Sequence, residues 1–116
     1  MKVLFINPSK WGRGITPIWI TSHAAVLKKN GFKVDLFDAT FYSNWTDNEI
    51  GYNTKNNQYK PSKYQDYIKF NKSDIYGELK KKIQKFKPDI IFWSALSSHI
   101  HGEGEYVNFQ YGYELV

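Results

Sequence analysis

The chain has 116 residues, 41% hydrophobic and 23% charged, with a formal net charge of +5. That length allows one domain with a modest core, and that balance excludes a disordered chain. With 0 cysteines the chain can hold no disulfide framework, thiolate metal site or iron–sulfur cluster of its own.

No apolar run approaches membrane length, and the opening Met1-Lys2-Val3-Leu4-Phe5-Ile6-Asn7-Pro8 is too short for a signal segment. A cytoplasmic chain with no membrane partner is expected. The lysines are dispersed, and their densest group, Lys80-Lys81-Lys82 with Lys85, falls on one predicted helix. That pattern is a solvated face rather than a nucleic-acid footprint.

Residues 2–6, KVLFI, read as a short buried strand closed by Asn7-Pro8. A loop with Gly12 and Gly14 follows, and then a predicted helix from about Pro17 to Lys29. Thr16 is placed to cap it, and Pro17 sits where a missing N–H costs nothing. Ile20, Ala24 and Leu27 share one side, and Asn30-Gly31 supplies a left-handed stop. Residues 33–37, KVDLF, make the second strand, with Val34 and Leu36 on one face and Asp38 at its exit. Strand, glycine-containing loop, helix and strand within 38 residues are the mark of a parallel sheet.

Residues 40–72 break the pattern. They are rich in Asn, Lys and Tyr without a sustained period, and a connection of that length is usually functional. They are expected to form an irregular excursion over the strand ends, with a short helix near 61–69.

Ser73 is placed to cap a second long helix, about 74–86, in which Ile75, Leu79, Ile83 and Phe86 form an apolar stripe. The third strand, 89–93, is apolar nearly throughout, which predicts cover on both of its faces. A third helix is expected from about residue 103. It runs to Glu114-Leu115-Val116 with no Gly, Pro or polar cap. The expected fold is therefore α/β, a Rossmann or flavodoxin-like parallel sheet with flanking helices. Residues 1–116 would supply its first three βα units as part of a larger domain.

In open parallel sheets, ligands bind beyond the carboxyl ends of the strands, where strand order reverses. Three exits line that edge: Asn7 to Gly14, Asp38 to Thr40, and Ser94 to His101. The first offers backbone N–H groups and two glycines beside a helix N-terminus. It lacks the G-x-G-x-x-G spacing, since Gly12-Arg13-Gly14 is followed by Pro17, and it lacks the Gly-Lys-Ser/Thr of a P-loop. Asp38 is a candidate to bind a ribose. Trp11 offers a ring to stack on a ligand, whereas Trp19 reads as packing. His99 and His101 with Glu103 and Glu105 have the chemistry of metal ligands but no assured fourth partner, so no metal site is expected. No Ser–His–Asp or paired-carboxylate set stands out, so no catalytic residue is expected.

The run MKVLFINPSKWG, then SHAAVLKKNGFKVDLFDAT, then KPDIIFWSALSS resembles the cobalamin-binding domain at the N-terminus of cobalamin-dependent radical S-adenosylmethionine enzymes. The resemblance covers nearly all of the chain outside 40–72. It implies a flavodoxin-like domain with a corrinoid lying flat on the strand ends. Better-known corrinoid proteins carry D-x-H-x-x-G after the first strand, S-x-L after the third and G-G after the fifth. Here the first position reads Asn7-Pro8-Ser9-Lys10-Trp11-Gly12, so the glycine is matched while Ser9 replaces the axial histidine. The second reads Ser94-Ala95-Leu96, a match in type and place. The radical enzymes' version of the domain generally lacks that histidine. A second H-x-x-G, His99-Ile100-His101-Gly102, follows the wrong strand and reads as coincidence.

The resemblance implies a corrinoid bound without a protein histidine on cobalt, through Asn7, Pro8, Ser9, Trp11, Gly12, Gly14, Asp38, Ser94, Ala95, Leu96, Ser97, Ser98 and His99. Small residues at Ser94, Ala95, Ser97 and Ser98 would let the corrin approach the backbone closely. Taken alone, serines there also read simply as strand-end and capping residues. It further implies a downstream radical domain in the same polypeptide, carrying a [4Fe-4S] cluster and S-adenosylmethionine, with methyl transfer as the commonest chemistry. Two other readings remain open: the N-terminal half of a two-Rossmann-domain glycosyltransferase, and a non-catalytic flavodoxin-like module. A receiver-type module is disfavoured, because Asn7 and Trp93-Ser94 stand where it needs an acidic cluster and a phosphoacceptor aspartate.

Overall fold

The computed structural model describes residues 1–8, 18–44, 69–93 and 112–116. Strand β1 (Lys2–Asn7) leads to helix α1 (Ile18–Lys29) and strand β2 (Lys33–Asp38); helix α2 (Ile75–Phe86) and strand β3 (Ile90–Trp93) follow. The strands form a parallel sheet in the order β2-β1-β3. These are Rossmann or flavodoxin-like βα units, as the sequence predicts. The first crossover moves to one side of β1 and the second returns past it to the other. Right-handed connections therefore send α1 and α2 to opposite faces.

β1 is the centre of both cores because its side chains alternate between the faces. Val3 and Phe5 pack with Ile20, Leu27 and Val34 under α1. Leu4 and Ile6 pack with Phe37, Ile75 and Leu79 under α2. All four β1 residues are buried, each contributing about 1.5–3 kcal/mol by leaving water. Ile20 faces inward and Ala24 and Leu27 flank it, as the predicted stripe requires. Gly31 takes a positive φ of 82° after α1, the left-handed stop expected at Asn30-Gly31.

The cap of α2 is Asp74 rather than Ser73: the Asp74 carboxylate accepts from the Gly77 N–H at 2.8 Å. Ser73 instead donates its own N–H to the Asn71 side chain at 2.9 Å, in the turn before the helix. Both residue types cap helices, and the turn at Asn71 decides between them. At the other end, Lys87 adopts the left-handed conformation and donates its N–H to the Ile83 carbonyl at 2.8 Å.

β3 departs from expectation. Ile91 and Trp93 pack on the α2 side, but Ile90 and Phe92 on the α1 side are 42% and 46% exposed. Its apolar run gives it the capacity for burial on two faces. However, α1 lies mainly over β1 and β2 and reaches β3 through the Trp19 and His23 rings at Phe92, so among the described residues the third strand is only half covered on that side. The two flanks of the sheet differ accordingly, with Lys33, Asp35 and Asp38 on β2 and no charged residue in β3.

Of the third helix, residues 112–115 are described and helical. Leu115 joins the core beneath α2, and Gly112 lies against the Trp93 ring so closely that a Cβ would overlap it. The excursion expected over 40–72 is described at its two ends only. There Tyr42 forms a parallel bridge with Asn71, the Asn71 N–H donates to the Phe41 carbonyl at 2.7 Å, and Phe41 and Phe70 meet edge to face at 6.2 Å. The chain thus leaves and returns through one closed neck beyond the exit of β2. The helix expected near 61–69 lies outside the described residues except for Lys69, which is not helical.

Candidate ligand-binding site

β1 and β2 end together, with Asn7 paired in register with Asp38, and the Ala39 N–H donates to the Asn7 carbonyl at 2.9 Å. Past that pair the chain turns sharply because Asp38 Oδ1 accepts from both the N–H and the hydroxyl of Thr40, at 3.1 and 2.6 Å. An aspartate bonded to the N–H two residues on is an Asx turn. Thr40 is 2% exposed, so its polar atoms need these partners.

The Asn7 side chain completes the cluster. Its Nδ2 donates to Asp38 Oδ1 at 3.0 Å and to the Thr40 hydroxyl oxygen at 3.3 Å. Both amide hydrogens are thereby engaged, which fixes the amide's orientation. The opposite orientation would set Asn7 Oδ1 against a carboxylate oxygen. Asn7 Oδ1 faces away from the cluster, on a half-buried residue, and Asp38 is exposed. Neither Asn7 Oδ1 nor Asp38 Oδ2 receives a hydrogen bond among the described residues. The edge therefore offers acceptors and negative charge. The Tyr42 hydroxyl is pushed above its ordinary pKa, first by partial burial and then by the charges of Glu78 and Asp38.

On the other side of β1, Ile6 pairs with Trp93, so the first and third exits leave neighbouring strands at the same level. Of the residues expected in the site, Asn7 and Asp38 are brought together and Pro8 follows, buried. Ser9, Trp11, Gly12, Gly14, Ser94, Ala95, Leu96, Ser97, Ser98 and His99 lie outside the described residues, as do His101, Glu103 and Glu105. Among the described residues no group of His, Asp or Glu could hold a metal ion, and no helix is long and apolar enough to cross a membrane. Trp19 packs edge-on to Phe5 at 5.8 Å, as expected for a packing residue. Thr40, which the sequence places at the end of the second exit without a role, is given one by the structure. Its signal was present as Asp-x-Thr at a strand exit, the spacing of an Asx turn.

A second concavity of about 380 Å³ lies between α1 and β3, lined by Val3, Phe5, His23, Val26, Leu27 and Phe92 among others. It is the space left where β3 is only half covered by α1. The His23 ring stacks on Phe92 at 6.3 Å, and its Nδ1–H donates to the Trp19 carbonyl at 2.7 Å.

Compared with protein-family models, curated proteins and solved structures, the chain matches none.

Proposed function

We propose that this chain is a corrinoid-binding domain that holds its cofactor at the carboxyl edge of the sheet. It presents the corrinoid's upper face to a radical S-adenosylmethionine domain of the same polypeptide, in the cytoplasm and without a nucleic-acid or membrane partner. The observation that carries the reading is the pairing of Ile6 with Trp93. The segments that resemble the two corrinoid motifs, Asn7–Gly12 and Ser94–Leu96, start from adjacent strands at the point where strand order reverses. That is the arrangement a flat ligand spanning both exits requires.

The donor chemistry fits. The corrin rim carries primary carboxamides, and Asn7 Oδ1 and Asp38 Oδ2 are acceptors without partners among the described residues. With Ser9 in place of the motif histidine, the motif supplies no imidazole to cobalt. When bound, the corrinoid would supply a transferable methyl group. The chain's own residues bind and orient it, and catalysis belongs to the downstream domain with its [4Fe-4S] cluster and S-adenosylmethionine.

Gel filtration of the 116-residue chain with excess hydroxocobalamin tests the reading. The red chromophore is expected to co-elute with the protein, and Ser94→Trp is expected to abolish co-elution while the circular dichroism stays that of the parent. A chain that is folded by circular dichroism and retains no corrinoid would overturn it.

A further inference from the structure

We infer that Asn7 is the residue that reads the ligand's rim: its Oδ1 accepts from a carboxamide N–H of the corrinoid, with Asp38 as a positioning residue that also turns away anionic groups. The inference rests on the corrinoid reading and adds to it a rule for which corrinoids bind.

The geometry leaves Asn7 one role. An asparagine at a strand exit can ordinarily flip its amide and serve either donors or acceptors. Here both Nδ2 hydrogens are taken by Asp38 Oδ1 and the Thr40 hydroxyl. Thr40 cannot rotate away, because it is buried and its own hydroxyl hydrogen is held by the same Asp38 oxygen at 2.6 Å. The amide is locked with its carbonyl oxygen turned away from Asp38 and Thr40, so Asn7 can only accept. Asp38, exposed beside it with Oδ2 unengaged among the described residues, adds a negative charge. A carboxamide meeting this pair gains a hydrogen bond. A carboxylate or phosphate meets an acceptor and a like charge, with no proton to share.

This separates the β1–β2 exit from the ordinary expectation for a loop before a helix, where backbone N–H groups favour anions. Any phosphate on the ligand belongs elsewhere on the edge, and the rim amides belong at Asn7.

The experiment compares hydroxocobalamin with its three single-amide hydrolysis products, the propionamide-derived monocarboxylic acids, each by equilibrium dialysis against the 116-residue chain. The parent chain is expected to bind the all-amide corrinoid about fivefold more tightly than at least one monoacid, the size of one lost hydrogen bond or one close like-charge contact at a wet surface. Asn7→Ala is expected to lose about fivefold for the all-amide form. Asp38→Asn, which keeps a turn-forming side chain, is expected to narrow the amide–acid gap. A change in selectivity is a readout that a merely structural role for Asp38 would not move. If the chain retains hydroxocobalamin but Asn7→Ala and Asp38→Asn bind and discriminate as the parent does, the inference fails while the corrinoid reading stands. If the folded parent retains none of the four corrinoids, both fail.

Discussion

At the amino end of the sheet, polar groups satisfy one another. The Lys2 N–H donates to the Asp89 carboxylate at 2.6 Å, the Asp89 N–H returns to the Lys2 carbonyl at 2.9 Å, and Lys33 donates its N–H to the Met1 carbonyl at 3.0 Å. The Lys2 ammonium reaches back to the Phe86 carbonyl at 3.0 Å. At the carboxyl end the same three strands finish differently. Asn7, Asp38 and Thr40 bond to one another and leave Asn7 Oδ1 and Asp38 Oδ2 without a partner among the described residues. A polar group engaged by its neighbours contributes to stability, whereas one held rigid and left open is prepared for a ligand. On the proposed reading, the difference places structural work at the start of the strands and recognition at their ends.

The largest effect expected from a single change falls where the carboxyl end is packed. Gly112→Ala would drive a methyl group into the Trp93 ring at the last residue of β3. Overpacking of this kind costs about 1–3 kcal/mol, read as a lower urea midpoint. An unchanged midpoint would mean that the last turn and β3 are not in contact. The complementary change at the amino end is Asp89→Ala. It removes the partner of the Lys2 N–H and is expected to cost about 1 kcal/mol without altering corrinoid affinity per folded molecule. If affinity fell in step with stability, the division of labour between the two ends would be lost.

The smallest effect belongs to neither end. Lys82 Nζ lies 2.7 Å from Asp35 Oδ2, tying α2 to β2. Partial burial pushes the Asp35 carboxyl upward. The Lys82 and Leu36 hydrogen bonds and the charges of Lys82 and Lys85 outweigh it and hold the pKa below its ordinary value. A carboxyl depressed in the folded state contributes stability that is fully present above its unfolded pKa and is lost as pH falls through the folded one. The pair is substantially exposed, so the contribution is expected to be a few tenths of a kcal/mol. Urea midpoints of the parent and Lys82→Met, measured down through the acid range, should converge below the aspartate range. A constant offset would assign the effect to packing instead.

The fold was legible because its signals are local. β1 announces itself as Val3-Leu4-Phe5-Ile6 between a charged start and Asn7-Pro8, and α2 carries its apolar stripe at helical spacing. Gly31 marks the end of α1 by itself. What escaped was set by neighbours far along the chain. The run Ile90-Ile91-Phe92-Trp93 shows what β3 can bury but not that α1 lies mainly over the other half of the sheet and meets β3 only at Phe92 among the described residues. Asp38 was visible as a strand exit. The locked amide of Asn7 depends on β1–β2 register and on Thr40, neither of which is written in the residues around Asn7.

The most direct measurement is a pair of ¹H–¹⁵N correlation spectra of the chain with and without hydroxocobalamin. Shifts are expected at Asn7, Asp38 and Thr40, with Lys2, Lys33 and Asp89 unmoved. Shifts confined to the amino end or to His23 and Phe92 in the groove, or no shifts at all, would contradict a corrinoid site at the carboxyl edge.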